Sequence, residues 1–364
     1  MIDEIRGAVR ELCARFPAEY WRGLEPDGYP EGFVRALTDA GWLAALVPER
    51  YGGGGLGIAE AAVVLEEVNA SGGNAAAAHA QMYVMGTLLR HGTGEQKERW
   101  LPRIAAGELR LQAFGVTEPN AGSDTRRIET RADRDGDAWR IRGQKVFTSR
   151  AEHSDLMLVL ARSENGLSTF LCELPQPEIR IRPLATMMNH ATTEVFLDGA
   201  RGELVGVEGE GFRQIVDGWN AERILIAAEC VGDGRWFVEK AAAYASRREV
   251  FGRPIGANQG VQFPIARAHV AVEAADLMRR RAAELFDAGE PCGPEANMAK
   301  LLASDASWAA ANACIDVHGG WGFAREVDVE RKFRETRLYQ VAPVANNLVL
   351  AYLGHNVLGM PRSY

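Results

Sequence analysis

The chain has no surplus of positive charge. Its 364 residues carry 41 Lys and Arg against 49 Asp and Glu, a net charge of −8. A nucleic-acid binder presents a basic face, so no nucleic-acid partner is expected. Cysteine is sparse. Cys13, Cys172, Cys230, Cys292 and Cys314 are scattered, with no Cys-x-x-Cys pair. That excludes a zinc site of the usual spacing and a disulfide framework, and it fits a reducing cytoplasm. No cluster has metal-ligand spacing, so no metal is expected. Long apolar runs are missing too. The nearest thing to a membrane span, Ala75 to Leu89, is too short and is interrupted by His79 and Gln81. No charged-then-apolar leader opens the chain, which again leads to a cytoplasmic expectation. Internal repeats, low-complexity tails and an evident Ser-His-Asp arrangement are also lacking.

What is present is a globular composition, 47% hydrophobic, in a chain long enough for two or three domains. Residues 1–110 read as a helical domain: Ile2, Ile5, Val9, Leu12 and Phe16 recur at helical spacing. Tyr51 to Gly57 reads as a flexible glycine break. Thr93-Gly94-Glu95-Gln96 has the form of a capping box, and Pro102 reads as the start of another short helix. Residues 111–212 change texture. Short alternating runs at Asp155–Ala161, Ser168–Glu173, Ile179–Pro183 and Thr193–Leu197 suggest a small β-barrel. Residues 213–364 return to helix, with stretches at Asn220–Arg247, Pro264–Ala288, Asn297–His318 and Pro343–Leu358 that suggest a four-helix bundle. The expected class is therefore α+β and multidomain: helical, then barrel, then bundle.

Four motifs stand out. Thr117-Glu118-Pro119-Asn120-Ala121-Gly122-Ser123-Asp124 follows the apolar run Leu111 to Val116. It is a strand entering a tight loop able to aim N–H groups and hydroxyls at an anionic, flat ligand such as a dinucleotide. Alone it reads equally well as a polar turn. Gly143-Gln144-Lys145-Val146-Phe147-Thr148-Ser149 ends a strand that follows the Asp135-Gly136-Asp137 turn. Its bland reading is a hairpin strand with Phe147 in the core. Arg248-Glu249-Val250-Phe251-Gly252, with Gln259 beyond, also reads as a plain helix C-terminus. His318-Gly319-Gly320-Trp321-Gly322-Phe323 also reads as an interhelical turn.

In this order and at these separations, the four motifs resemble the acyl-CoA dehydrogenase family over nearly the whole chain. The resemblance implies flavin adenine dinucleotide (FAD) between the β domain and the C-terminal bundle, and a homotetramer or homodimer in which a neighbouring subunit contributes to the dinucleotide site. It implies an acyl thioester substrate and electron-transfer flavoprotein as acceptor, within fatty acid metabolism. The implied reaction is α,β-dehydrogenation: a carboxylate takes the α proton while the β hydrogen leaves as hydride to flavin N5.

Many members carry that carboxylate as Glu in a Tyr-Glu-Gly-Thr stretch near the C-terminus. Here the matching region is Tyr339-Gln340-Val341-Ala342-Pro343-Val344-Ala345, and the Glu position reads Pro343, which cannot act as a base. The family's second solution is Glu before Arg on the first helix of the bundle. Asn220-Ala221-Glu222-Arg223 stands there, followed by Ile224-Leu225-Ile226-Ala227-Ala228. That apolar run suggests a buried neighbourhood and singles out Glu222 as the base, against the reading of a solvated helical Glu. Arg223 matches a substrate-pocket Arg, or makes an ordinary salt bridge. Asn220 falls beside them.

By the same resemblance, Phe114, Val116 and Thr117 match the pyrimidine end of the flavin. Gly122 and Ser123 match the pyrophosphate side, with Ser123 also meeting the acyl carrier. Phe147 and Ser149 match residues beside the ring. Arg248, Phe251 and Gln259 match a site reached from the adjacent subunit, and Gly319, Gly320 and Asn346 match further flavin contacts. His79 and Gln81 fall where the family lines its acyl pocket; two polar residues satisfied within a helix fit as well. His190 reads as structural. Asp316 replaces a frequent Gln, which puts a contact to the adenosine half in question. Asp198 to Gly206 lacks a common Val-Pro loop, a mild pointer to a carrier-protein thioester. A flavin oxidase or monooxygenase, or a non-catalytic member that keeps flavin as a structural group, are the other readings.

Overall fold

The structure is a computed structural model that describes residues 1–136 and 138–362. Asp137 of the expected Asp135-Gly136-Asp137 turn lies outside the described residues. In chain order the elements are α1 Ile2–Ala14, α2 Ala18–Gly23, α3 Glu31–Asp39, α4 Ile58–Ala70, α5 Ala76–His91, α6 Gly94–Ala105, β1 Leu111–Gly115, β2 Arg131–Asp135, β3 Ala138–Ser149, β4 Leu156–Ser163, β5 Gly166–Glu173, β6 Ile179–Pro183, β7 Thr192–Leu204 and α7 Gly211–Arg247. Then follow the short β8 Glu249–Val250 and β9 Arg253–Pro254, and α8 Gln259–Asp287, α9 Gly293–His318, α10 Val329–Arg337 and α11 Asn346–Tyr352. Helical N-terminal, β-rich middle and helical C-terminal regions are all present. No described helix is long and apolar enough to cross a membrane.

The contacts divide the chain into two compact units. One comprises Leu24–Leu56 and Ala76–Trp219 and holds the sheet; the other comprises Met1–Gly23, Gly57–Ala75 and Asn220–Tyr364 and is mainly helical.

In the sheet-bearing unit, β4, β2, β3, β7 and β5 pair in turn, and β5 returns to β4. This ring is the expected barrel, with β1 added to β4 and β6 to β7. β4 is buried on both faces. Met157, Val159 and Ala161 join Trp139, Ile141, Phe170 and Val195 in one cluster, while Leu156 and Leu158 join Leu88, Leu101, Ile104 and Leu111 in another. A strand covered on two sides reads as a continuous apolar run rather than an alternating one. The Thr93 capping box forms: Gln96 N donates to Thr93 Oγ1 at 3.1 Å and Thr93 N donates to Gln96 Oε1 at 2.9 Å.

Two local expectations are corrected in this unit. Pro102 does not begin a helix; it lies inside α6. It is exposed, so its ring faces away from the core, and the helix gives up only one backbone bond to accommodate it. The glycine run from Tyr51 is not a flexible break within this unit. Gly54 N donates to Ala44 O at 3.0 Å, Gly55 N to Val47 O at 2.8 Å and Leu56 N to Ala45 O at 2.8 Å. A Cβ on Gly53 would overlap Val47, so the run is a close-packed strap that glycine alone permits.

In the helical unit, α7 is buried on all sides from Ala221 to Gly234. A Cβ on Gly232 would collide with the Glu66 carbonyl, so this glycine lets α7 approach α4 closely. α10, Val329-Glu330-Arg331-Lys332-Phe333-Arg334-Glu335-Thr336-Arg337, is a helix beyond the four expected in this region. So many charges suggest solvent, yet Arg331, Lys332 and Glu335 are buried and paired. Arg331 Nη1 binds Glu335 Oε1 at 2.8 Å and Lys332 Nζ lies 2.6 Å from Asp233 Oδ1.

Candidate active site

In the sheet-bearing unit, the expected flavin residues sit on two neighbouring segments fixed by a buried ion pair. Lys145 on β3 is wholly buried; its Nζ donates to Glu118 Oε1 at 2.8 Å and to Val116 O at 3.1 Å. Glu118 also accepts from the backbone N–H groups of Glu129 at 2.7 Å and Thr130 at 2.9 Å. Burial works against the Glu118 carboxylate, but Lys145 and these donors outweigh it and hold its pKa below the usual range. Burial pulls the Lys145 ammonium down to about 8. Val146 N donates to Thr117 O at 2.9 Å, so Val116 and Thr117 lie against the Val146-Phe147 stretch. The roles of Lys145 and Glu118 are not legible in the sequence, because only the tertiary pairing creates them.

Phe147 is not core. It is 65% exposed, with φ of 56°, where the β3–β7 register breaks between Lys145 and Thr148. A non-glycine residue held there costs on the order of 1 kcal/mol, and the Lys145 anchor next to it offsets the strain. The result is a bare aromatic face held at a fixed angle. Ser149 is half-buried beyond it. Glu118 and Ala121 exchange both backbone bonds, at 3.0 and 3.1 Å, which makes a tight turn and leaves Gly122 and Ser123 exposed after it. Phe114 is half-buried, its ring 6.0 Å from that of Tyr83. On α5, Gln81 is 1% exposed and its Oε1 has no hydrogen-bond partner among the described residues; His79 is buried nearby in sequence. Arg150 Nη2 lies 3.3 Å from His190 Nδ1, and burial first, then Arg150 and His79, keep that imidazole neutral.

In the helical unit, Glu222 is 5% exposed and Arg223 is 7% exposed, with Asn220 half-buried ahead of them on α7. Burial lowers the Arg223 pKa, and the nearby charges of Glu222 and Tyr352 oppose the shift. Lys300 on α9 is fully buried and also feels Glu222; burial brings its pKa down to about 8. Its Nζ donates to Val344 O at 2.8 Å and to Asn346 Oδ1 at 2.6 Å. Asn346 Nδ2 donates to Asp305 Oδ1 at 3.0 Å and lies 3.0 Å from Ser304 Oγ. The Asn346 side chain is thus occupied in fixing the loop that carries Pro343.

Arg248, Gly319 and Gly320 come together. With Tyr244, Val250 and His318 they line an open groove of 560 Å³. A Cβ added to Gly319 or Gly320 would meet nothing within 4 Å, so their backbone is bare to a ligand. His318 Nδ1 donates to Cys314 O at 2.8 Å and its ring stacks 4.2 Å from Tyr244. Phe251 and Gln259 are not among the walls of this groove. Phe251 is fully exposed at the tip of the β8–β9 hairpin, where it and Gly252 have φ of 54° and 77°. Gln259 opens α8, also exposed, and so is Asp316 near the end of α9. β7 continues through Arg201, paired with Arg140, after a bulge at Gly199, in the stretch where the resemblance leads to the expectation of a Val-Pro loop. Each unit by itself offers surface suited to part of a flat, anionic dinucleotide: an aromatic plate beside an exposed loop in the one, an Arg-lined groove with a bare glycine floor in the other.

A buried Glu and Arg side by side on a helix, with dinucleotide-suited surface in each unit, fit the class that the resemblance implies, the flavin-dependent thioester dehydrogenases. The comparisons agree. Models for the N-terminal, middle and C-terminal domains of acyl-CoA dehydrogenases match residues 2–108, 113–200 and 209–346. The chain is 39% identical to acyl-CoA dehydrogenase FadE12 of Mycobacterium tuberculosis over 99% of this chain and 96% of that one. It is 34% identical to cyclohex-1-ene-1-carbonyl-CoA dehydrogenase of Syntrophus aciditrophicus, over 96% and 88%. Among solved structures, a glutaryl-coenzyme A dehydrogenase in complex with glutaryl-CoA superposes with a TM-score of 0.92 at 29% identity, covering 100% and 96%. The chain belongs to the acyl-CoA dehydrogenase family, whose members are FAD-dependent oxidoreductases.

Proposed function

We propose that this enzyme converts an acyl-CoA to its trans-2-enoyl-CoA, with Glu222 removing the α proton. The observation that carries this reading is a carboxylate 5% exposed on α7, beside Arg223, in a chain whose alternative base position holds Pro343. A carboxylate shielded from water is a stronger base toward a weak carbon acid, and general-base catalysis is worth about 10²–10⁴ in rate. When bound, FAD supplies the two-electron acceptor for the β hydrogen.

Phe114, Val116, Thr117, Gly122, Ser123, Phe147 and Ser149 would hold the cofactor from the sheet-bearing unit. Gly319, Gly320 and the Asn346 loop would offer further contacts, and Arg248, Phe251 and Gln259 would reach the cofactor of an adjacent subunit. Arg223 and Asn220 orient the thioester, Ser123 meets its carrier, and Gln81 offers a buried acceptor to the acyl end. The exposed Phe251, with Arg248 and Gln259, supports a homodimer or homotetramer in which this edge meets a second copy. Electron-transfer flavoprotein is the proposed acceptor, and fatty acid metabolism in the cytoplasm the proposed setting; five free, buried thiols support a reducing compartment.

Anaerobic addition of a panel of acyl-CoA and acyl-carrier-protein thioesters to the flavin-loaded protein tests the reading. Bleaching of the visible band by coenzyme A thioesters is expected. No bleaching by any thioester, or peroxide release under air without another acceptor, would replace it with a non-catalytic or an oxidase role.

A further inference from the structure

Arg90, the next-to-last residue of α5, sits in a recess built by missing side chains. A Cβ on Gly86 would lie 3.1 Å from its Nη1, and a Cβ on Gly218 of α7 would lie 2.9 Å from its Nη2. Both glycines are inside helices, where glycine weakens the helix relative to alanine. Two helices therefore carry a destabilising residue at the points that flank one guanidinium.

No hydrogen bond or ion pair to Arg90 occurs among the described residues. The nearest acid, Asp217, is 3.6 Å from His91 Nε2 instead. The residue is exposed, yet burial still lowers its pKa, ahead of the opposing charges of Tyr83 and Asp217. A side chain that is open to solvent but crowded by protein lines a recess rather than a crest. Around the neighbouring His91, burial and then Arg90 act against protonation, Asp217 favours it, and Arg213 and Lys97 add to the opposition, so cations outnumber the acid. Such a cation, with no carboxylate within ion-pair distance among the described residues and Asp217 acting on it only from further off, can receive an oxyanion. Gly218 also stands four residues ahead of Glu222 in α7.

We propose that Arg90, bracketed by Gly86 and Gly218, binds an oxyanion of the thioester substrate: a phosphate of coenzyme A, or a carboxylate at the far end of the acyl group. The inference rests on the acyl-thioester reading above. Titration calorimetry of the flavin-loaded protein, its flavin reduced beforehand under anaerobic conditions, with four probes tests it without turnover. Coenzyme A against pantetheine reads the phosphate; glutaryl-pantetheine against pentanoyl-pantetheine reads the carboxylate alone. In Arg90→Gln, Kd for the anionic member of one pair rises about tenfold while its neutral partner is unmoved. The pair that responds identifies the source of the anion. Gly218→Ala pushes the guanidinium aside, so it weakens the same probe while raising Tm, as Ala for Gly in a helix does. If neither pair distinguishes Arg90→Gln from the native protein, or Gly218→Ala keeps full affinity, the proposal is wrong. Failure of the dehydrogenase reading appears separately, as a flavin band that no thioester bleaches.

Discussion

The two units are held together by different forces. The interior of the sheet-bearing unit is apolar clusters, with Lys145 and Glu118 as its fully buried ion pair among the described residues. The helical unit threads charge through its interior. Glu66, 0% exposed, binds Arg6 at 2.7 Å and Arg279 at 3.1 Å, and pairs with Arg235; Arg279 binds Asp276 at 2.5 Å. Around α10, Asp233, Lys332, Glu335, Arg331 and Asp328 form a second network. Removing one partner from such a network costs more than the network contributes, because the survivor is left buried and charged. A single pair in an apolar unit concentrates that vulnerability, whereas a network spreads it.

The largest effect is therefore expected at Lys145. Lys145→Met leaves Glu118 without its cation and should destabilise the protein by about 3–5 kcal/mol in chemical denaturation. Adding Glu118→Gln should restore most of the loss; a double variant as unstable as the single one would mean that packing, not charge, is at stake. Arg279→Met is next. Glu66 and Asp276 retain Arg6 and Arg235, so a smaller cost, about 2–3 kcal/mol, is expected. If Arg279→Met proves the more damaging, the contrast between the units fails.

Acid sharpens the comparison. Burial opposes ionisation of Glu335 and Asp276, but the adjacent cations outweigh it and hold both pKa values below the usual range. A depressed carboxylate contributes stability that is present above its unfolded pKa, near 4, and lost as pH falls through the folded value. Glu118 in the sheet-bearing unit shifts the same way. Amides around Glu118 and around Glu335 and Asp276 should all lose hydrogen-exchange protection on acidification, those around the Lys145–Glu118 pair first. Asp233 has the opposite sign: burial raises it from 3.8 to about 6, so its contribution is full below 3.8 and declines as pH rises through 6. Asp233→Asn should flatten that part of the profile. The smallest expected effect is local: Thr93→Ala removes the α6 cap and should cost about 1 kcal/mol.

The same contrast explains what could be read from sequence. Period and texture revealed the helices and barrel strands, since alternation and helical spacing are local properties. The Thr93 cap was legible because its partner is three residues away. Charge patterning misled at α10, where Arg331, Lys332 and Glu335 resemble a solvated face and Asp233, about a hundred residues earlier, buries them. Lys145 and Lys300 were invisible as anchors for the same reason: their acceptors, Glu118 and the Val344 and Asn346 loop, are close only in the fold. Phe147 was legible as an aromatic, but its exposure depends on a break in strand register that no periodicity announces.

Glu222→Gln tests the central claim most directly. Stopped-flow mixing with an acyl-CoA in the absence of oxygen should show flavin bleaching slowed by about 10²–10⁴, with the flavin spectrum before mixing unaltered. Bleaching at the native rate would contradict the account and assign proton removal to another group.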